Sequence, residues 1–91
     1  MDTVTIHGSQ WNWADIAESV DWARSLNWAF AKYEKVGDHD HCQICWWSLA
    51  KANDPEVSEG YTCPEHPGRW LCKECYQRFV SPNNSLQARR P

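Results

Sequence analysis

Two Cys-x-x-Cys pairs constrain this chain more than any other feature. They are Cys42-Gln-Ile-Cys45 and Cys72-Lys-Glu-Cys75. The two-residue spacing lets both sulfurs of one turn converge on a metal ion, and a second pair completes a tetrahedral shell of the kind that zinc prefers. Because four thiolates leave no open coordination position, the spacing predicts one structural zinc ion per chain rather than a catalytic one.

Four further side chains of ligand type leave alternatives open. Cys63 and His66 have ligand spacing and would complete a site with the first pair, with His39 and His41 then serving the second pair. In a two-zinc cross-brace, the same four residues would hold a second ion. In the simplest interpretation, His39 and His41 are loop residues that hydrogen-bond the sulfurs or the backbone of the cysteine turn, Cys63 is a free thiol, and His66 is a turn residue. His7 is expected at the plain surface.

The four paired cysteines also have interpretations without a metal. They would then be reduced core residues, or they would form disulfides on oxidation. Doubled x-x spacing is hard to obtain from packing alone, so the zinc interpretation is favoured.

Size and composition bound the fold and the class of partner. A chain of 91 residues is one folding unit near the lower size limit for an independent hydrophobic core. Chains of this size commonly gain the stability they need from a structural metal. Its seven tryptophans exceed what such a core needs, which predicts one or two of them in a surface binding patch. The net charge of −3 argues against general nucleic-acid binding.

The compartment is predicted from the cysteine count and from hydropathy. Five cysteines are an odd number, which does not suit a simple secreted disulfide set. The chain contains no long apolar run and no signal-peptide pattern. These features predict a cytoplasmic protein that does not enter a membrane.

The N-terminal part is predicted to be a strand and a long helix. Residues 3–7 alternate polar and apolar side chains, as a short edge strand does. Helical periodicity then predicts one amphipathic helix over residues 13–36, beginning after Asn12 and stopping at Gly37. Trp28 falls outside the apolar stripe of that helix and is therefore expected to be exposed.

The remaining chain is predicted to be a small β-structure followed by a helix. Trp46, Trp47 and Leu49 suggest a strand after the first cysteine pair, and residues 58–62 and 70–71 suggest two more. From Cys72 the apolar spacing becomes helical, and the helix is expected to end at 81–82. Residues 82–91 are predicted to be a tail.

This arrangement resembles a known zinc-finger type. The pattern is Cys42-x-x-Cys45-Trp46, then Gly60-Tyr61, then Trp70-Leu71-Cys72-x-x-Cys75-Tyr76-x-x-Phe79. It is similar to treble-clef zinc fingers, especially those of small uncharacterised bacterial proteins. The resemblance implies an α+β fold in which a knuckle, a β-hairpin and a C-terminal helix hold one zinc through Cys42, Cys45, Cys72 and Cys75. It implies no activity. We expect residues 1–38 to pack on a zinc module spanning 39–81, with 82–91 as the tail.

Two functions are consistent with this sequence, and neither is catalytic. The first is a protein-protein interaction module, which would act as a small inhibitor or regulator and use Trp28 together with Trp11 or Trp13 as contacts. No Ser-His-Asp set, phosphate loop or open metal site suggests an enzyme.

The second function is nucleic-acid binding through the last helix and the tail. Its candidate contacts are Arg69, Lys73 and Arg78, with Arg89 and Arg90 in the tail. Trp70 and Tyr76 would be available to stack on bases.

Overall fold

The computed structural model describes residues 2–81 and begins with a β-hairpin. Strand β1 (Thr3–Ile6) pairs antiparallel with β2 (Ser9–Asn12), so the predicted strand is confirmed and has a partner. His7 and Gly8 form the two-residue turn with φ of 48° and 77°. Left-handed conformations at both positions match the twist of tight hairpins.

Helix α1 (Trp13–Arg24) is half as long as predicted. Its buried face consists of Ile16, Val20 and Ala23, which follow helical spacing. The prediction of a helix over 13–36 is wrong, because Ser25 closes α1 by donating its hydroxyl hydrogen to the carbonyl of Trp22 at 2.7 Å. After a short connection, the chain becomes extended as strand β3 (Ala29–Lys32).

The central part of the chain forms a second small hairpin and a one-turn helix. Strand β4 (His39–His41) pairs antiparallel with β5 (Ser48–Ala50), and helix α2 (Pro55–Ser58) follows. Asp54 caps α2 by accepting the backbone N–H of Glu56 at 3.0 Å. The predicted strand at 46–49 is shorter than expected, since Trp46 has φ of 67° and leaves the extended region.

A three-stranded antiparallel sheet connects the two halves of the chain. Strand β6 (Glu59–Thr62) lies between β3 and β7 (Trp70–Cys72). Phe30, which the helical prediction placed on α1, is instead the partner of Tyr61 in this sheet. Gly60 lies opposite Ala31 on one side and Cys72 on the other.

The chain then enters its last helix. Helix α3 (Lys73–Cys75) continues without a break into a π-helical segment, Tyr76–Val80, and the helix ends before Ser81, as predicted. The predicted tail, residues 82–91, lies outside the described residues.

The hydrophobic core is divided into two clusters. The larger combines apolar residues of β1, α1, β7 and the C-terminal helix with the four paired cysteines, and the smaller contains Tyr33, Leu49 and Trp70. Trp11, Trp13, Trp22, Trp28 and Trp47 are half-buried around these clusters. These five tryptophans therefore surround the buried residues, whereas Trp70 lies within the smaller cluster.

Candidate metal centre

The fold brings the four predicted cysteine ligands together. The sulfurs of Cys42, Cys45, Cys72 and Cys75 all lie within 4.8 Å of one another, and all four residues are buried. In the described part of the chain, this is the one group of three or more histidine, cysteine or acidic side chains close enough to hold a metal ion. Four converging thiolates suit a soft divalent metal and are compatible with zinc.

The first pair occupies the turn that joins β4 to β5. The amide of Ile44 points at the sulfur of Cys42 at 3.4 Å, and the amide of Trp46 donates to the carbonyl of Cys42 at 2.9 Å. The amide of Gln43 donates to the carbonyl of Trp70 at 2.9 Å. This contact fixes the first pair beside β7, which carries the second pair.

The second pair marks the change from strand to helix. Cys72 is the last residue of β7 and the N-cap of α3, and Cys75 lies within that helix. The amide of Cys75 donates to the sulfur of Cys72 at 3.4 Å. One turn of helix thus directs both sulfurs toward the first pair.

The electrostatics of the four sulfurs favour a bound cation. Burial opposes ionisation of Cys42, but hydrogen bonds from the other three thiols outweigh it and lower the pKa of Cys42. Hydrogen bonds to Cys42 and Cys45 in turn raise the pKa of Cys75, and the same two partners raise the pKa of Cys72. Four adjacent thiolates therefore require a positive charge among them, which a divalent metal supplies.

His7 lies beside the sulfurs, so its expected position at the plain surface is wrong. Its Nε2 is 3.3 Å from the sulfur of Cys72, and its Nδ1 is 3.6 Å from Oε1 of Glu74. The imidazole also stacks on Trp47, with centroids 3.8 Å apart and planes inclined by 13°. The only signal in the sequence was the His7-Gly8 dipeptide between two alternating segments, which predicts a tight hairpin turn but not its contacts.

The four other ligand-type residues lie apart from the sulfur cluster. His41 directs Nδ1 at the carbonyl of Trp46 at 3.1 Å, and the His39 ring contacts His41 edge to face. Cys63 is a buried free cysteine whose thiol points at Glu65 at 3.7 Å. His66 is exposed in the turn after it.

The most exposed tryptophan is Trp46 and not Trp28. Trp28 is half-buried and donates its indole hydrogen to the carbonyl of Ala23 at 2.8 Å, so the prediction of its exposure is wrong. Trp11 and Trp13 are also half-buried. Trp46 is instead 65% exposed, and its ring stacks on His41 with centroids 4.2 Å apart and an interplanar angle of 3°.

Two of the three described basic residues that were candidates for nucleic-acid contact form ion pairs. Lys73 contacts Glu59 at 3.1 Å and Glu56 at 3.6 Å, and the hydrogen bond to Glu59 raises the pKa of Lys73. Arg78 pairs with Glu74 at 3.3 Å and also donates to the carbonyl of Thr5. Arg69 is exposed, whereas Arg89 and Arg90 lie outside the described residues.

Comparison with known proteins adds no family assignment. No family model, no curated protein and no solved structure matches this chain. Among residues 2–81, no helix combines the length and apolar character that a membrane crossing requires.

Proposed function

We propose that this chain is a non-catalytic zinc protein of the treble-clef type, which binds another protein through the exposed side chain of Trp46. The order of elements supports the treble-clef assignment: a cysteine turn is followed by the β6–β7 hairpin and then by a helix that carries the second pair. Zinc in a shell of four thiolates has a structural role, because no coordination position is left for a substrate. None of the five cysteines forms a disulfide, which suits the reducing conditions of the cytoplasm.

The proposal that this chain binds a protein rests on the exposure and rigidity of Trp46. Trp46 exposes 65% of its surface although its ring is held face to face against His41. The imidazole of His41 is itself fixed by its contacts with the Trp46 carbonyl at 3.1 Å and with Ser48 Oγ at 3.4 Å. A rigid exposed indole loses little conformational entropy on binding, and tryptophan is enriched at the energetic centres of protein interfaces.

The backbone of Trp46 gives independent support. Its φ of 67° is a left-handed conformation that glycine adopts without cost and that a bulky side chain rarely adopts. A glycine would satisfy this turn, so the geometry of the turn does not account for tryptophan at this position. Strained residues of this kind concentrate at sites of function.

Nucleic-acid binding is the weaker candidate. Lys73 and Arg78 have acidic partners within the protein, which reduces their availability to phosphate groups. The net charge of −3 acts in the same direction.

The test compares Trp46→Ser with Val36→Ser in zinc-loaded protein. Val36 is 83% exposed and apolar, so its replacement controls for a general loss of exposed apolar surface. We expect Trp46→Ser to lose a partner that the wild type and Val36→Ser both retain in pull-down and calorimetry, while circular dichroism and zinc content stay unchanged. Equal retention by all three proteins contradicts the role of Trp46. Salt-dependent binding to DNA or RNA near physiological ionic strength would favour the nucleic-acid alternative.

A further inference from the structure

The tip of the N-terminal hairpin reaches the metal centre from a distant part of the chain. His7 lies 65 positions before Cys72, yet its Nε2 is 3.3 Å from the sulfur of Cys72. The side chain of His7 is 12% exposed, and its backbone adopts a left-handed φ of 48°. The turn therefore places an imidazole directly against one of the four sulfurs.

Trp47 and Glu74 fix the orientation of the His7 ring, and Arg78 holds Glu74 in place. Trp47 stacks on one face, and Glu74 lies 3.6 Å from Nδ1 and also accepts the backbone N–H of His7 at 3.2 Å. Arg78 holds Glu74 at 3.3 Å and donates to the Thr5 carbonyl of the same hairpin. The imidazole therefore lies between the Glu74 carboxylate, at ion-pair distance, and the Cys72 sulfur, and groups that contact metal ligands in this way commonly fix their orientation.

The chemistry of a thiolate determines the direction of the contact. A metal-bound thiolate only accepts hydrogen bonds, so Nε2 must carry the hydrogen that lies between His7 and Cys72. Such a bond withdraws part of the negative charge that four thiolates leave around a divalent ion. Cys72 also accepts the amide of Cys75, so it receives one donor from the backbone and one from a side chain.

We propose that His7 is a positioning residue of the metal centre, which donates its Nε2 hydrogen to the Cys72 thiolate, strengthens metal binding and joins the N-terminal hairpin to the site. The inference rests on the proposed four-cysteine zinc centre and adds a fifth residue to it. The contact with a sulfur, which the sequence suggested for His39 and His41, is made by a residue of the first hairpin, whereas His41 contacts the backbone beside the first pair.

Three variants of the full chain separate donation from packing. His7→Phe keeps a ring for Trp47 but removes the donor, whereas His7→Gln keeps a donor but removes the ring. His39→Phe is the matched control, because His39 is exposed and lies outside the sulfur cluster. Competition with a chromophoric chelator measures zinc affinity, and circular dichroism checks that each variant is folded.

We expect His7→Phe to bind zinc about 10- to 100-fold more weakly than the wild type, since residues that hydrogen-bond metal ligands have effects of this size. His7→Gln should recover most of the loss, and His39→Phe should match the wild type. In the cobalt-substituted protein, the sulfur-to-metal charge-transfer band of His7→Phe should move to longer wavelength, because the thiolate has lost a donor. A merely structural role would not shift that band.

A folded His7→Phe with wild-type zinc affinity and an unshifted cobalt band would overturn the role of His7 alone. A wild-type chain that binds neither zinc nor cobalt would overturn this role together with the proposed function. Should His7→Phe fail to fold, nitrogen-15 NMR of the cadmium-loaded wild type decides the question. A protonated Nε2 with coupling to cadmium-113 supports the bond, and an unprotonated Nε2 overturns it.

Discussion

Gly60 lies in the central strand β6, directly opposite Cys72 of β7, and the structure leaves no room there for a side chain. A Cβ at this position would lie 2.6 Å from the carbonyl oxygen of Leu71 and 3.3 Å from Cε3 of Trp70. Ordinary contact begins near 3.4 Å, so Gly60→Ala must separate β6 from β7 by about 0.8 Å. A displacement of that size lengthens the neighbouring hydrogen bonds beyond their effective range.

The expected cost follows from these distances. Overpacking together with one or two weakened backbone hydrogen bonds predicts a loss of about 2–4 kcal/mol in the free energy of unfolding. For a domain of this size, that loss lowers the melting temperature by roughly 10–25 °C. Because β7 carries Cys72, its displacement from β6 should also lower zinc affinity about tenfold or more. Thermal denaturation in excess zinc and chelator competition measure the two effects.

Gly68→Ala is the matched control for Gly60→Ala. Gly68 has φ of 86°, and a Cβ there would meet no atom within 4 Å, so only backbone strain of about 1 kcal/mol is added. The zinc affinity of Gly68→Ala should equal that of the wild type. If Gly60→Ala melted within about 3 °C of the wild type and retained its zinc affinity, the reasoning from the close approach of β6 and β7 would be refuted.

Three further perturbations test the metal centre and the smaller core cluster. Removal of the metal by a chelator, verified by metal analysis, is expected to unfold the C-terminal half. The reason is that structural zinc contributes up to about 10–16 kcal/mol of folding free energy in small peptides. An unchanged thermal denaturation curve after metal removal contradicts this. Partial alkylation followed by mass spectrometry should modify Cys45 first among the five cysteines, because it is 7% exposed and borders a cavity of about 80 Å³; earlier labelling of Cys63 would contradict this. Burial and the hydrogen bond to Asp40 raise the pKa of Tyr33 to about 12. The neutral phenol is therefore favoured in the folded protein, and this contribution to stability is complete below pH 10 and lost as the pH rises toward 12. Absorbance titration should show a late tyrosine that Tyr33→Phe removes, and titration of all tyrosines near pH 10 would contradict the assignment.

The cysteine cluster was predictable from sequence because its information is local. Two-residue spacing within each pair restricts the geometry of a single turn, and the change to helical spacing after Cys72 locates the second pair at a helix start. Both features depend on residues only a few positions apart, and both are found in the structure.

The end of α1 was not predictable from periodicity. Ala29, Phe30 and Tyr33 continue the helical spacing, but strand pairing with β6 overrides it. That partner strand lies some thirty residues further along the chain, so a local pattern contains no record of it. The same reason explains the error at Trp28, whose predicted exposure assumed the phase of the longer helix.

The contacts of His7 and the exposure of Trp46 were missed for related reasons. His7 and Cys72 are 65 positions apart, so no local pattern records their contact. Aromatic residues favour strands, so the pattern predicts a strand at Trp46, whereas the turn that closes the first cysteine pair imposes a left-handed backbone there.

The long separation between His7 and Cys72 has a consequence for synthesis of the chain. At about 5–20 residues per second, a ribosome adds Cys72 roughly 3–13 s after His7. The β1–β2 turn is therefore made among the first residues, but the sulfur that it contacts is made among the later ones. During that interval the apolar faces of the first hairpin and of α1 lack the cysteine-bearing segments that cover them. While these faces are uncovered, chaperone binding and aggregation of the nascent N-terminal part would compete with its folding.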